Sequence, residues 1–181
     1  MSNYVNVSKP GINAGLGIKT KDKITFISFE DINFDLFPPR IQDGITIQND
    51  IDAALKQDAT PFTVYCTKGT VEVTSNSEGD NDAKGFIQQL VFSHPGSKQE
   101  IREFKAKALN DEFIILVEHC NGEATDMLGE PCDGMMMQVN FTSNNDGTAS
   151  SFTFNKSKGR EIAIYTGAMP NITVPAAPVA E

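Results

Sequence analysis

The sequence predicts a β-rich α+β domain, an antiparallel β-sandwich or barrel with one packed α-helix, a long early loop and extended termini. Short β-rich runs recur between turn residues, one stretch has helical spacing, and a continuous apolar run follows that stretch directly. We expect a single domain over residues 23–169, preceded by an extended arm at 1–22 and followed by an extended tail at 170–181.

Strands are predicted where β-rich residues alternate between turn signals. The predicted strands are 24–29, 62–67, 70–74, 86–92, 113–117, 135–142, 150–155 and a short one at 162–165. Lys68-Gly69 predicts a tight hairpin between two of them, and the Asn-Asn-Asp-Gly run at 144–147 predicts another. The apolar run at 113–117 is typical of a strand that is buried on both faces.

The helix is predicted over residues 97–109. Ser97 and Glu100 have the spacing of a capping box, and Asn110-Asp111 ends the helical pattern. The apolar side consists of Ile101, Phe104, Ala108 and Leu109. The outer, basic face consists of Lys98, Arg102, Lys105 and Lys107. Because the chain is acidic overall, this face is a candidate contact for an acidic patch on a neighbouring subunit.

Residues 30–61 break the strand pattern, with Pro38-Pro39, Asp43-Gly44 and only a brief strand at 45–47 and a short helix at 51–55. A connection of this length is uncommon unless it serves a contact or binding role. The segment is therefore a candidate contact loop. Its candidate inter-subunit residues are Phe34, Leu36, Phe37, Ile45 and Ile47.

The net charge is −9 over 181 residues. An acidic surface repels phosphate backbones, so direct nucleic-acid binding is not expected; the charge either serves solubility or lines a surface along which DNA slides without sticking. No apolar run approaches 18 residues and no signal-peptide pattern is present, so we expect no membrane span. The three cysteines then indicate reduced thiols inside a cell.

One acidic loop, with Glu78, Asp80 and Asp82, is a candidate ion-binding site. Its spacing partly matches a calcium loop, but Lys84 and Val91 occupy positions where that loop needs oxygen ligands. No base, nucleophile and oxyanion site converge in the pattern. We therefore expect no enzyme, no cofactor and no metal.

In the order of its elements the chain resembles a bacteriophage tail-tube (major tail) protein. Residues 92–104 and 146–154 are also similar to virion proteins of phages of gut Bacteroidales. The resemblance implies a non-enzymatic virion subunit that assembles with itself into stacked rings, usually hexamers, around a channel for DNA. It also implies that residues 30–61, the arm and the tail contact other subunits or other tail and neck proteins.

Two other functions stay open. One is a capsid-decorating, head-fibre or neck protein of the virion, which would bind a preassembled partner and would not polymerise alone. The other is a small divalent-ion-binding module that uses the acidic loop.

Overall fold

The computed structural model describes residues 19–120, 125–145 and 147–172 together with Val7 and Gly122. Most of the predicted arm and the tail from residue 173 onward lie outside these residues, as does Asp146 of the predicted hairpin turn. The strands are β1 Lys23–Ser28, β2 Thr46–Ile47, β3 Phe62–Tyr65, β4 Glu72–Glu78, β5 Gly85–Pro95, β6 Glu112–Val117, β7 Thr125–Leu128, β8 Met135–Asn144, β9 Gly147–Asn155 and β10 Ala163–Tyr165. The helix α1 is Gln99–Lys107, and a 3-10 turn, Ala108–Asn110, extends it.

The strands of the described chain form one open, mixed sheet in the order β2-β10-β7-β6-β8-β9-β5-β4, with β1 on the other side of β6 and β3 beside β1. Every pairing is antiparallel except that of β10 with β2. The predicted β-rich α+β class is confirmed. The sheet does not close into a barrel: beyond the end of β3, a main-chain bond from Thr67 N to Ser93 O (2.7 Å) reaches β5, but no ladder joins the two strands.

The central strands β1 and β6 are buried on both faces, and the apolar run at 113–117 predicted this for β6. Phe113, Ile115 and Val117 face one cluster, which α1 and the curled sheet enclose; we call it the helix-side core. Ile114 and Leu116 face a second cluster, the loop-side core. Since successive residues of a strand point to opposite faces, one continuous apolar strand supplies both cores.

The segment predicted as a long contact loop covers the loop-side core. It contains three 3-10 turns, at Phe29–Asp31, Phe34–Leu36 and Ile51–Ala54, and the short strand β2. Its apolar residues Ile32, Ile47 and Ile51 are buried in that core. Much of the segment is therefore packed onto the sheet of its own chain.

Three local predictions were wrong. The turn at Lys68-Gly69 does not close a hairpin, because β3 pairs with β1 and β4 pairs with β5. The strand β7 was not predicted. The capping box does not form: α1 begins after Lys98, which makes no side-chain cap, and the Ser97 carbonyl accepts a bond from Arg102 Nε (2.9 Å).

Candidate functional site

The described residues contain no group of three or more His, Cys, Asp and Glu side chains that could hold a metal ion. The predicted acidic loop is the exposed connection between β4 and β5, where Glu78 ends β4 and Asp82 has a positive φ of 68°. Lys158 Nζ donates to the Ala83 carbonyl and closes the loop. The described residues therefore give no support to the alternative that the chain is a divalent-ion-binding module.

The five predicted contact residues of the long loop fall into different environments. Ile47 is only 3% exposed, so the surface role predicted for it is wrong. The rings of Phe34 and Phe37 are partly buried and pack onto the loop-side core, with centroids 6.1 Å apart. Leu36 (59% exposed) and Ile45 (40%) remain on the surface. Only these last two are freely available to a partner.

Three isoleucines near the β2 end of the sheet, Ile41, Ile45 and Ile164, are each 40% exposed. Main-chain bonds connect this region: the Ile45 carbonyl accepts from Ile164 N (3.1 Å), and Ile41 N donates to Thr46 O (2.8 Å). Ile164 is opposite Thr46, so these bonds do not put the isoleucine side chains on one face. Their exposure depends on tertiary pairing that sequence reasoning did not find.

The four predicted cations of α1 do not form one face. Arg102 and Lys105 lean over the ring of Phe141 on β8, with Arg102 Cζ 5.9 Å and Lys105 Nζ 4.4 Å from its centroid. Lys105 Nζ also donates to Ser150 Oγ (3.1 Å). Lys107 instead lines a cleft on the other side of the helix. The predicted basic face was wrong as a single surface because its side chains diverge around the helix, and two of them are engaged within the chain.

That cleft runs between α1 and β3 and has a volume of about 950 Å³. Its residues include Phe62, Tyr65 and His94 on the sheet side and Ile101, Phe104 and Lys107 on the helix side. His94 Nδ1 lies 2.8 Å from the Tyr65 carbonyl oxygen at one end of the cleft. The cleft is much larger than a single buried water site and falls within the size range of ligand pockets.

The sheet also ends in an edge at β4, which pairs only with β5 among the described strands. Its charged residues are Glu72 and Glu78 at the two ends, and the five residues between them are uncharged and contain no proline. Natural edge strands are usually protected by charge, proline or a covering element. The middle of β4 carries none of these protections in the described chain.

A buried ion network connects the long loop to the segment after β9. The Lys156 side chain is fully buried, with Nζ 2.9 Å from Glu130 Oε1 and 3.4 Å from Asp133 Oδ2. Arg40 of the long loop approaches the same carboxylate (3.6 Å), and burial lowers the pKa of this arginine. Sequence reasoning missed this network, because a lysine after a strand gives no sign of burial until its partners are placed.

No protein-family model matches the chain, and no curated protein or solved structure matches it either. Among the residues that the structure describes, no helix has both the length and the apolar character needed to cross a membrane. The function of the chain is therefore inferred from its own surfaces.

Proposed function

We propose that the chain is a virion structural protein that assembles with itself into stacked rings forming a phage tail tube, through which DNA passes. The observation that carries the proposal is the open sheet, which ends in an unprotected strand edge at β4. A subunit that completes its sheet only by joining a neighbour needs such an edge, because main-chain pairing supplies the contact. The sequence resemblance to tail-tube proteins agrees with this role.

The alternation of an antiparallel ladder identifies which main-chain groups of β4 face away from β5. Thr67, in the chain that leads from β3 to β4, donates its N–H to Ser93 O of β5. Ser93 and the other odd-numbered residues of β5 therefore direct their main-chain groups to the β4 side. Because Asn76 is opposite Ile87, Asn76 bonds to β5. Ser77, the next residue, therefore directs its N–H and C=O away from the sheet.

The net charge of −9 supports the DNA-channel part of the proposal. Repeated around a ring, an acidic subunit would keep a phosphate backbone from sticking to the channel wall. Assembly would take place in the host bacterial cell and the product would be part of the virion. The subunit itself would carry no enzymatic activity.

The first test is negative-stain microscopy of the purified full chain together with its Ser77→Pro and Ser77→Ala variants. We expect rings or tubes from the unmodified chain and from Ser77→Ala. Ser77→Pro removes an outward donor and no β5 ladder bond, so it should fold normally and fail to assemble. A chain that stays monomeric at high concentration would contradict the proposal, and a Ser77→Pro protein that assembles normally would remove β4 as the contact.

A further inference from the structure

The sheet has a second open edge, the side of β3 that faces away from β1. This edge lies inside the cleft beneath α1. Cys66 N donates to Asp22 O (2.8 Å), so Cys66 directs its main-chain groups toward β1. Val64 and Phe62, which are two and four residues before Cys66, therefore also bond to β1. By the alternation of the ladder, Thr63 and Tyr65 direct their main-chain groups to the opposite side. The Tyr65 carbonyl is taken by His94, which leaves the N–H and C=O of Thr63 and the N–H of Tyr65 for a further strand.

The cleft surrounds this edge with apolar surface. The partly buried rings of Phe62 and Phe104 line it and stack edge-to-face at 5.7 Å, and Phe113 lies behind them. The residues with open main-chain groups, Thr63 and Tyr65, are themselves exposed. An extended peptide could therefore form main-chain bonds with β3 and place alternate side chains against the rings.

The sequence supplies one segment suited to this position. Residues 2–8 read Ser-Asn-Tyr-Val-Asn-Val-Ser, which is uncharged, contains neither glycine nor proline and alternates β-forming with polar residues over its second half, 5–8. Pro10 and the glycines Gly11, Gly15 and Gly17 separate it from Lys19. The tail at 173–181 fits less well, since its two prolines cannot donate to a ladder.

We propose that residues 2–8 of a second copy of the chain dock into the cleft and add as a strand to the open edge of β3. The proposal rests on the self-assembly proposed above and names a contact beyond the β4 edge. An uncharged segment suits the site, because the segment itself brings no charged side chain into the cleft.

The exposure of Val7 favours a second copy over the chain's own arm. Val7, inside the proposed segment, is 92% exposed in the single chain, so at this residue the arm is not packed into the cleft of its own chain. Lys19 is bonded beside the end of β6, where its carbonyl accepts a bond from Cys120 N (2.7 Å).

Disulfide trapping between two full-length variants tests the docking. The exposed native cysteines are first replaced, by Cys120→Ser and Cys132→Ser, and buried Cys66 is kept. One protein then carries Val5→Cys or Asn6→Cys, tested separately because successive strand residues point to opposite faces. Its partner carries Thr63→Cys, or Gln138→Cys on the exposed face of β8 as the matched control.

After mild oxidation we expect one of the two arm variants to form at least about tenfold more heterodimer with Thr63→Cys than with Gln138→Cys, because docking raises the local thiol concentration. An excess of synthetic peptide 1–9 should suppress the heterodimer, and a scrambled peptide should not. Equal yields at the two positions would overturn the proposal. A chain carrying both Asn6→Cys and Thr63→Cys that links only to itself would overturn the second-copy assignment.

The same samples separate this docking from the proposed function. Rings without the specific heterodimer would overturn arm docking and leave the ring-forming role in place. The specific heterodimer in samples that form no rings would support the docking and contradict the tail-tube role.

Discussion

The buried ion network predicts that two substitutions at one ion pair have very different costs. Lys156 is completely buried, whereas its partner Glu130 keeps 17% of its side chain exposed. Glu130 also accepts a bond from Arg160 N (2.9 Å) and pairs with Arg40. The carboxylate therefore has other partners when the lysine is removed, but the lysine has little besides Asp133 when the carboxylate is neutralised.

We expect Glu130→Gln to lower the free energy of unfolding by about 3 kcal/mol, the low end for breaking a buried pair, because Asp133 remains 3.4 Å from the ammonium. Two unit charges 2.9 Å apart attract by about 6 kcal/mol at an effective dielectric constant of 20, so the loss is large enough to support this figure. Lys156→Met leaves no unpaired cation and fills much of the same volume. Its expected cost is about 1 kcal/mol.

Urea unfolding followed by circular dichroism measures both costs, and the melting temperature gives a second measure. A loss of about 3 kcal/mol corresponds to roughly 6–12 °C for a domain of this size. Exposed Lys84→Met is the control and should stay within about 0.5 kcal/mol of the parent. If Lys156→Met proves more destabilising than Glu130→Gln, the argument that the buried cation is the costly member of the pair is refuted.

Two further predictions concern the helix-side core. Phe26 is fully buried, and the ring centroids of five other phenylalanines lie 5.2–6.3 Å from its own. We therefore expect Phe26→Ala to lower the free energy of unfolding, measured in urea, by about 4 kcal/mol. Phe141→Ala, at an exposed ring, should lower it far less. Burial raises the pKa of the Cys66 thiol from 9.0 to about 12, so its contribution to stability is complete below pH 9 and is lost as the pH rises toward 12. Unfolding measured at pH 8 and pH 10 should therefore show a loss of up to about 1.4 kcal/mol per pH unit above 9 that Cys66→Ala lacks, and equal slopes for the two proteins would contradict this.

The elements that the sequence predicted well are those whose signal is local. The run at 113–117 is apolar throughout, and it became the doubly buried β6. Phe152 and Phe154 alternate with polar residues and both face the helix-side core. In these cases the side-chain period alone determines which face is buried, and no partner needs to be known.

The failures come where a distant partner overrides a local pattern. Lys68-Gly69 makes a turn, but β3, which precedes that turn, does not pair with β4, which follows it. β3 pairs instead with β1, which is some forty residues earlier in the chain. Leu109 continues the apolar side of the helix in sequence, but it is 52% exposed because a 3-10 turn replaces the last helical turn and rotates it outward. Neither result follows from spacing within a window of a few residues.

The candidate surfaces illustrate the same limit. Sequence reasoning selected apolar residues in a long loop as contacts, but a buried Ile47 and an exposed Ile45 two positions away are indistinguishable before β2 is placed beside β10. The open edge of β3 carries no composition signal, because an unpaired main-chain group is a property of the sheet. Thr63 is identified as a residue whose N–H and C=O face away from β1 only by the strand order and by the alternation of hydrogen-bonded and non-hydrogen-bonded pairs along the ladder.

The strand order also gives a reason for the open sheet. Around the helix-side core, β3, β1, β6, β8, β9 and β5 follow one another, and Thr67 N already bonds to Ser93 O where β3 and β5 approach. Further along, the two strands diverge, and α1 covers the gap without supplying main-chain partners to Thr63. The sheet is therefore incomplete at a position where one additional strand would be enclosed by apolar surface. Under the docking proposed above, an extended segment of a second copy would supply the main-chain partners that this edge lacks in the described chain.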